Sequence, residues 1–369
     1  MKTIEDLIRT GKEAGASDVH IAANVPVKYR IDGQLTNLDS DIVSPEECEL
    51  YAKELAGKNY PKIQEIGEWD GSDTIADERI RINLFRASGS VSLALRILAD
   101  HIPALDSLGL PPVVSKFSSW EKGIILVTGE TGSGKSTTLA AILNEINHTR
   151  REHIITLEDP IEYVYQPDLC LINQREIGTD TESYANGLRA ILREDPDVIL
   201  IGEMRDTETM ETAMTAAETG HLVFATLHTN SAVDSVDRIV GSFPADKQPQ
   251  IRMQLSTTLK AVLSQQLLVR KGGKGRVCAC EAMIVNQAIK NQIREGNTPQ
   301  MQSSLLSSAD IGSLTMDNCL IDQVRKQLIE PETAVSAAFD PDFVMRNVGY
   351  SMKSSSNAMP QTTVKRRFI

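Results

Sequence analysis

The sequence predicts an α/β protein in two parts. A small α+β domain covers residues 1–100. After a linker at 101–112, a larger domain over 113–348 is built on a mainly parallel sheet. Three observations predict it. Residues 124–128, 153–157, 197–201 and 222–226 are short apolar runs that alternate with helix-length stretches, the pattern of right-handed crossovers. The first run leads directly into Gly129-Glu130-Thr131-Gly132-Ser133-Gly134-Lys135-Ser136 and then a helix-like segment, Thr137–Leu143. The first hundred residues instead carry hairpin and helix-capping signals.

Taken in order, Ile4, Leu7 and Ile8 fall at helical spacing within residues 2–14. Ser17–Ile21, Val25–Ile31 and Gln34-Leu35 read as extended, and Asp32-Gly33 between the last two is a two-residue hairpin signal. Ser44-Pro45-Glu46-Glu47 is a capping box with proline at the first helical position, and Gly57 can stop that helix. Ile80, Ile82 and Leu84 alternate with polar residues, as do Val91, Leu93, Leu95 and Ile97, with a turn at Ala87-Ser88-Gly89-Ser90. Pairing Arg86 with Val91 puts both apolar sets on one face and sets Arg81 directly opposite Arg96 on the other. Like charges so placed are destabilising. Either an anion sits between them, or both are solvated on an exposed face.

The linker carries Pro103, Gly109, Pro111 and Pro112 with weak periodicity. Beyond it, strand, G-x-x-x-x-G-K-S and helix follow one another, which is the context of a phosphate-binding P-loop. Its glycines let backbone N–H groups point inward, so the loop and the helix N-terminus form an anion cradle. Gly129, Thr131, Gly132, Ser133, Gly134, Lys135, Ser136 and Thr137 are the candidate nucleotide contacts. Lys135 can reach the β- and γ-phosphates, and the Ser136 hydroxyl can hold Mg²⁺.

Three later strands end in polar clusters: Glu158-Asp159-Pro160-Ile161-Glu162, Gly202-Glu203-Met204-Arg205-Asp206 and Thr226-Leu227-His228-Thr229-Asn230, with Gly220-His221 leading into the last strand. In such sheets the chemistry gathers beyond the strand C-terminal ends. A carboxylate must orient the water that attacks the γ-phosphate, and Glu203, at the tip of a fully apolar run, is the first candidate. Gly202 stands where an acidic residue usually precedes it, so a metal-side carboxylate must come from elsewhere, Glu158 or Asp159. His228 could donate a hydrogen bond to the γ-phosphate; its alternative is a structural histidine.

Composition narrows the classes. The 369-residue chain is 41% hydrophobic and 24% charged, ordinary for a globular protein. No apolar run approaches the ~18 residues of a membrane span, and the N-terminus lacks a signal-peptide core, which places the expectation in the cytosol. Its net charge of −12 and 4% aromatic content argue against a nucleic-acid motor. The five scattered cysteines contain no C-x-x-C pair, so neither zinc nor a disulfide framework is expected, and Cys278-x-Cys280 reads as strand packing. The tail from Ser351 to Ile369 is Ser-rich and basic at its end, and is expected to be disordered.

Four motifs, GETGSGKS (129–136), TLEDPIEY (156–163), LRAILREDPDVILIGEMRDTET (188–209) and TAAETGHLVFATLHTN (215–230), resemble in order the Walker A loop, Asp box, divergent Walker B and His box of the secretion ATPase superfamily. The likeness is greatest to the PilT-type pilus retraction ATPases. ASDVH (16–20), VKYRIDGQL (27–35) and RIRINLFR (79–86) resemble that family's PAS-like domain. The resemblance implies a RecA-like ATPase domain behind a PAS-like domain, forming a homohexameric ring that hydrolyses ATP with Mg²⁺. It implies Glu203 as general base with Glu158 assisting, both near the metal with Ser136, and His221 and His228 beside the phosphates. Arg81 and Arg96 match arginines that reach nucleotide. It also implies a motor on the cytoplasmic face of the inner membrane, peripheral to it, that retracts a type IV pilus through an integral-membrane platform protein of the PilC kind, with no nucleic-acid partner. Alternatives are another motor of the superfamily, for secretion, DNA uptake or conjugation, or a nucleic-acid translocase. Residues 288–295, AIKNQIRE, resemble the retraction motif AIRNLIRE, with Lys290 and Gln292 differing.

Overall fold

The computed structural model describes residues 2–98 and 101–349. The tail from Ser351 lies outside the described residues. Residue contacts divide the chain into two compact units, one of residues 1–267 with 278–315, the other of residues 268–277 with the segment from Met316 onward.

The first unit begins with α1 (Ile4–Glu13), β1 (Ala16–Ile21), β2 (Lys28–Ile31), β3 (Gln34–Thr36), α2 (Pro45–Ala56), α3 (Tyr60–Glu65), β4 (Glu68–Ile75), β5 (Glu78–Ala87) and β6 (Ser90–Ile97). These six strands form one antiparallel sheet in the order β3-β2-β1-β6-β5-β4. Asp32 and Gly33 both have positive φ, 49° and 81°, as the two-residue hairpin requires. Ser44 and Glu47 form the reciprocal capping box at the start of α2, worth roughly 1 kcal/mol. The β5–β6 register is the one the alternation demands, Arg86 against Val91 and Arg81 against Arg96. Ile80, Ile82, Leu84, Val91, Leu93 and Leu95 accordingly share a buried core with Ile4, Leu7 and Ile8 of α1.

Strand β4 was not anticipated. It is an edge strand with only Gly71 buried and mostly polar residues, so it carries no alternating apolar pattern. The Trp69 ring lies across Gly71, where an added Cβ would stand 2.4 Å from it.

Short 3-10 turns at Leu105–Leu108 and Pro112–Ser119 precede the second sheet. That sheet's elements are β7 (Gly123–Thr128), α4 (Lys135–Thr149), β8 (His153–Glu158), β9 (Leu171–Glu176), α5 (Tyr184–Ile191), β10 (Val198–Ile201), α6 (Thr207–Glu218), β11 (Leu222–Leu227), α7 (Ala232–Gly241), α8 (Gln248–Thr258), β12 (Leu259–Val269) and β13 (Arg276–Ile284). α9 (Gln287–Glu295) and α10 (Thr298–Leu306) follow. The strand order is β13-β12-β7-β11-β10-β8-β9, and every pair from β12 to β9 is parallel. β7, β10 and β11 are buried at every position, the signature of strands covered on both faces.

The four anticipated strands are present, while β9, β12 and β13 add to them. β9 was missed because it is an edge strand reading Leu-Ile-Asn-Gln-Arg-Glu, with only Glu176 fully buried. Cys278 and Cys280 lie on β13 among its buried residues. In α9, Ile289 and Ile293 are buried while Asn291 and Arg294 face solvent, an amphipathic helix.

The second unit contains α11 (Met316–Arg325), α12 (Pro331–Ala337) and α13 (Pro341–Val348). Asp317 of α11 accepts the N–H groups of Phe339 and Asp340 at 2.8 and 3.0 Å, tying α11 to the start of α13. Among the described residues, no helix is long and apolar enough to cross a membrane.

Candidate nucleotide-binding site

The parallel register brings the C-terminal ends of β7, β11, β10 and β8 to one edge of the sheet. Thr128 is level with Leu227, and Ile201 is level with both Ala225 and Leu157. The P-loop, His228, Glu203 and Glu158 therefore emerge side by side. They line a cavity of about 310 Å³ together with Thr131, Gly132, Lys135, Ser136 and Arg81.

Gly129 opens the loop with φ 138°, and a Cβ there would stand 2.3 Å from the Gln265 carbonyl oxygen of β12. Only glycine fits. Lys135, the first residue of α4, is buried and donates to the carbonyls of Gly129 and Glu130 at 2.7 and 2.9 Å. Burial pulls its pKa below the usual lysine value, partly offset by Glu203 and Glu162. Ser133 and Gly134 shape the loop without lining the cavity, and Ser133 Oγ is buried without a hydrogen-bond partner. Thr137 turns its hydroxyl to Tyr163 at 2.9 Å, linking α4 to the Asp box.

Glu158 closes β8. Its Oε1 accepts from Thr156 Oγ1 at 2.6 Å and Gln174 Nε2 at 3.1 Å. Burial pushes its pKa up to about 7 against these donors, and Glu162 adds to the rise. Gln174, on β9, also donates to the Tyr163 carbonyl at 2.8 Å and accepts the Tyr165 N–H at 3.0 Å. One amide thus braces both a carboxylate and the loop that follows it.

Glu203 follows β10 and is held on two sides, by Arg205 Nη2 at 2.8 Å and His228 Nε2 at 3.4 Å. Burial alone would raise its pKa, but Arg205 and His228 outweigh burial and hold it below the usual glutamate value. Position 202 is tight for a side chain: a Cβ would meet Tyr184 Oη at 2.9 Å and the Leu157 carbonyl at 3.0 Å.

Two proposed residues stand apart from the cavity. His221 precedes β11 at the opposite end of the sheet, about 20 Å from His228 by the rise of seven strand residues. Its Nδ1 lies 2.8 Å from the Ala216 carbonyl, and it borders a separate polar hollow with Glu152 and Asp197. Arg96 pairs in register with Asp18 of β1 and donates to it at 2.9 Å. The row across the sheet is Arg30, Asp18, Arg96, Arg81, Ser72. The anion beside Arg96 is the protein's own, and Arg81 is left to face the cavity.

Sequence reasoning missed Arg205, Tyr184 and Gln174. Arg205 was visible two residues after Glu203, whereas Tyr184 and Gln174 carry no motif and reach the site only through α5 and β9.

The sequence matches the family described as Type II/IV secretion system protein over residues 1–333. The chain belongs to that family. The secretion-system relatives include the type IV pilus retraction ATPase PilT of Pseudomonas aeruginosa, 41% identical over 92% of this chain and 99% of the relative. A twitching motility protein of Neisseria gonorrhoeae is 44% identical over 90% of this chain and 89% of its own length. Among solved structures, the pilus retraction motor PilT with bound ADP superposes with a TM-score of 0.88 at 45% identity, covering 94% of this chain and all of that one. The two-sheet α/β fold, a RecA-like P-loop domain behind a PAS-like domain, is therefore that of the secretion ATPases. As a member of the secretion family the chain is an ATPase and uses nucleotide.

Proposed function

We propose that the chain is the hexameric motor of type IV pilus retraction, acting on an integral-membrane platform protein from the cytoplasmic face of the inner membrane. In this reading residues 1–100 and 113–348 are the domains that move against each other. One observation carries the reading: Lys135, Ser136, Glu158, Glu203, His228 and Arg81 meet around one cavity, in a chain that aligns with PilT over nearly its whole length.

The chemistry follows from those groups. The P-loop amides and Lys135 bind the phosphates, and Lys135 exchanges its loop carbonyls for phosphate oxygens. The Ser136 hydroxyl with the carboxylates of Glu158 and Glu203 would hold Mg²⁺, an ion bound through one or two carboxylates with phosphate and water completing its shell. Mg²⁺ would neutralise charge developing on the β- and γ-phosphates. Glu203, kept ionised by Arg205 and His228, orients the attacking water; His228 donates to the γ-phosphate. Arg81 stabilises transferred charge within the chain. Arg96 and His221, away from this cavity, would serve across a ring interface.

Solution mass and phosphate release with ATP and Mg²⁺ test the reading in wild-type protein and Arg96→Ala. A hydrolysing hexamer that loses turnover in the variant supports it. A monomer with unchanged turnover in the variant refutes the ring. Loss of pilus retraction in cells lacking the gene supports the cellular role, and persistence of retraction points to another secretion motor.

A further inference from the structure

The N-terminal sheet and the Asp-box loop are joined at a partly buried cluster that the catalytic reading does not use. Glu176, the last residue of β9, has a side chain only 7% exposed, and Arg79 of β5 has one 17% exposed. Arg79 Nη2 donates to Glu176 Oε2 at 3.1 Å. The same oxygen accepts the Ile161 N–H at 3.2 Å, while Arg79 Nε donates to the Ile161 carbonyl at 3.2 Å. Ser72 of β4 completes the cluster, its hydroxyl bonded to both Glu176 and Arg79.

The two side chains therefore hold both backbone groups of one residue, the N–H and the carbonyl of Ile161, in the loop between Glu158 and Glu162. Arg79 lies two residues from Arg81, so both project from the same face of β5. Whatever fixes Arg79 to the loop also carries Arg81 to the cavity, which Arg81 lines and Arg79 does not. Charge-assisted hydrogen bonds are the strong and directional kind, and a displacement of 1 Å at a reacting centre is costly.

We propose that Arg79 and Glu176 are positioning residues of the ATPase: they clasp the N-terminal sheet to the Asp-box loop so that Arg81 and Glu158 arrive at the nucleotide together. The clasp rests on the reading that ATP is hydrolysed at this cavity.

The test is phosphate release at saturating ATP, with affinity for a fluorescent ADP measured in parallel, for the full chain, Arg79→Met, Glu176→Gln and the double variant. Each single change lowers kcat by about tenfold, while ADP affinity stays within about threefold because the P-loop is untouched. The double variant loses less than the product of the two single losses, because either change breaks the Arg79–Glu176 pair while each side chain also holds its own bond to Ile161. Unchanged kcat, or single losses that multiply in the double variant, overturns the clasp. Arg79→Lys keeps the charge toward Glu176 and gives up the two-point grip. If the other variants lose ADP binding through misfolding, it decides alone: an intermediate kcat with normal affinity supports the clasp, and wild-type kcat overturns it. Wild-type protein that releases no phosphate overturns both readings, whereas normal wild-type turnover unaltered in the variants overturns the clasp alone.

Discussion

Glu203 and Arg205 form an ion pair at the end of β10, with Arg205 Nη2 2.8 Å from Glu203 Oε2. The pair keeps a half-buried carboxylate ionised where burial favours its neutral form. The general-base role proposed for Glu203 needs that state before the carboxylate can orient water. Glu203→Gln is expected to lower turnover by roughly 10²–10⁴ while keeping ATP binding. Single-turnover phosphate release beside nucleotide titration checks this, and normal hydrolysis by the variant removes Glu203 from its role.

Arg205→Ala tests the tether itself. Arg205 is the chief group opposing burial at Glu203, so its loss raises the pKa of the carboxylate. The base must be ionised to act, and the acid limb of the kcat–pH profile is expected to move toward neutral pH. An acid limb at the wild-type position would show that Arg205 does not set the ionisation of Glu203.

Glu158 makes a different pH prediction. Its pKa in the folded protein is about 7, above the ordinary 4.5. A raised pKa means that the folded state holds the proton more tightly, so this contribution is complete below pH 4.5 and lost as pH rises through 7. The stability of wild-type protein minus that of Glu158→Gln should fall by on the order of 2–3 kcal/mol between pH 4 and 8. Urea unfolding in nucleotide-free, chelator-treated buffer measures it. A difference that is flat with pH would contradict the burial of this carboxyl.

Gly202→Ala should destabilise the protein by roughly 1–3 kcal/mol, because the new methyl group meets Tyr184 Oη and the Leu157 carbonyl. Adding Tyr184→Phe removes the nearest of those atoms and should restore part of the loss. Thermal unfolding of the single and double variants separates the two contacts; no recovery would place the strain at Leu157.

Much of the fold was legible because its signals are local. The P-loop is one contiguous octapeptide between a buried strand and a helix. The β5–β6 register follows from alternation plus a two-residue turn, and a slip by one would have turned Ile80, Ile82 and Leu84 to solvent. The edge strands β4 and β9 were not legible. Each is paired on one side only and is largely polar, so burial left no period in the sequence.

The sequence by itself therefore determined the P-loop, the apolar strands that aim Glu158, Glu203 and His228 beyond their ends, and the pairing of Arg81 with Arg96. Tertiary structure alone decided what these groups meet. Strand order β7-β11-β10-β8 gathers the polar ends at one edge and leaves His221 at the other. Strand β1, inserted beside β6, gives Arg96 the Asp18 carboxylate and leaves Arg81 for the cavity. Strand β9 brings Gln174 and Glu176 under the Asp-box loop. Register is a property of neighbouring residues and their turn, whereas a partner dozens of residues away is chosen by which strands pack side by side.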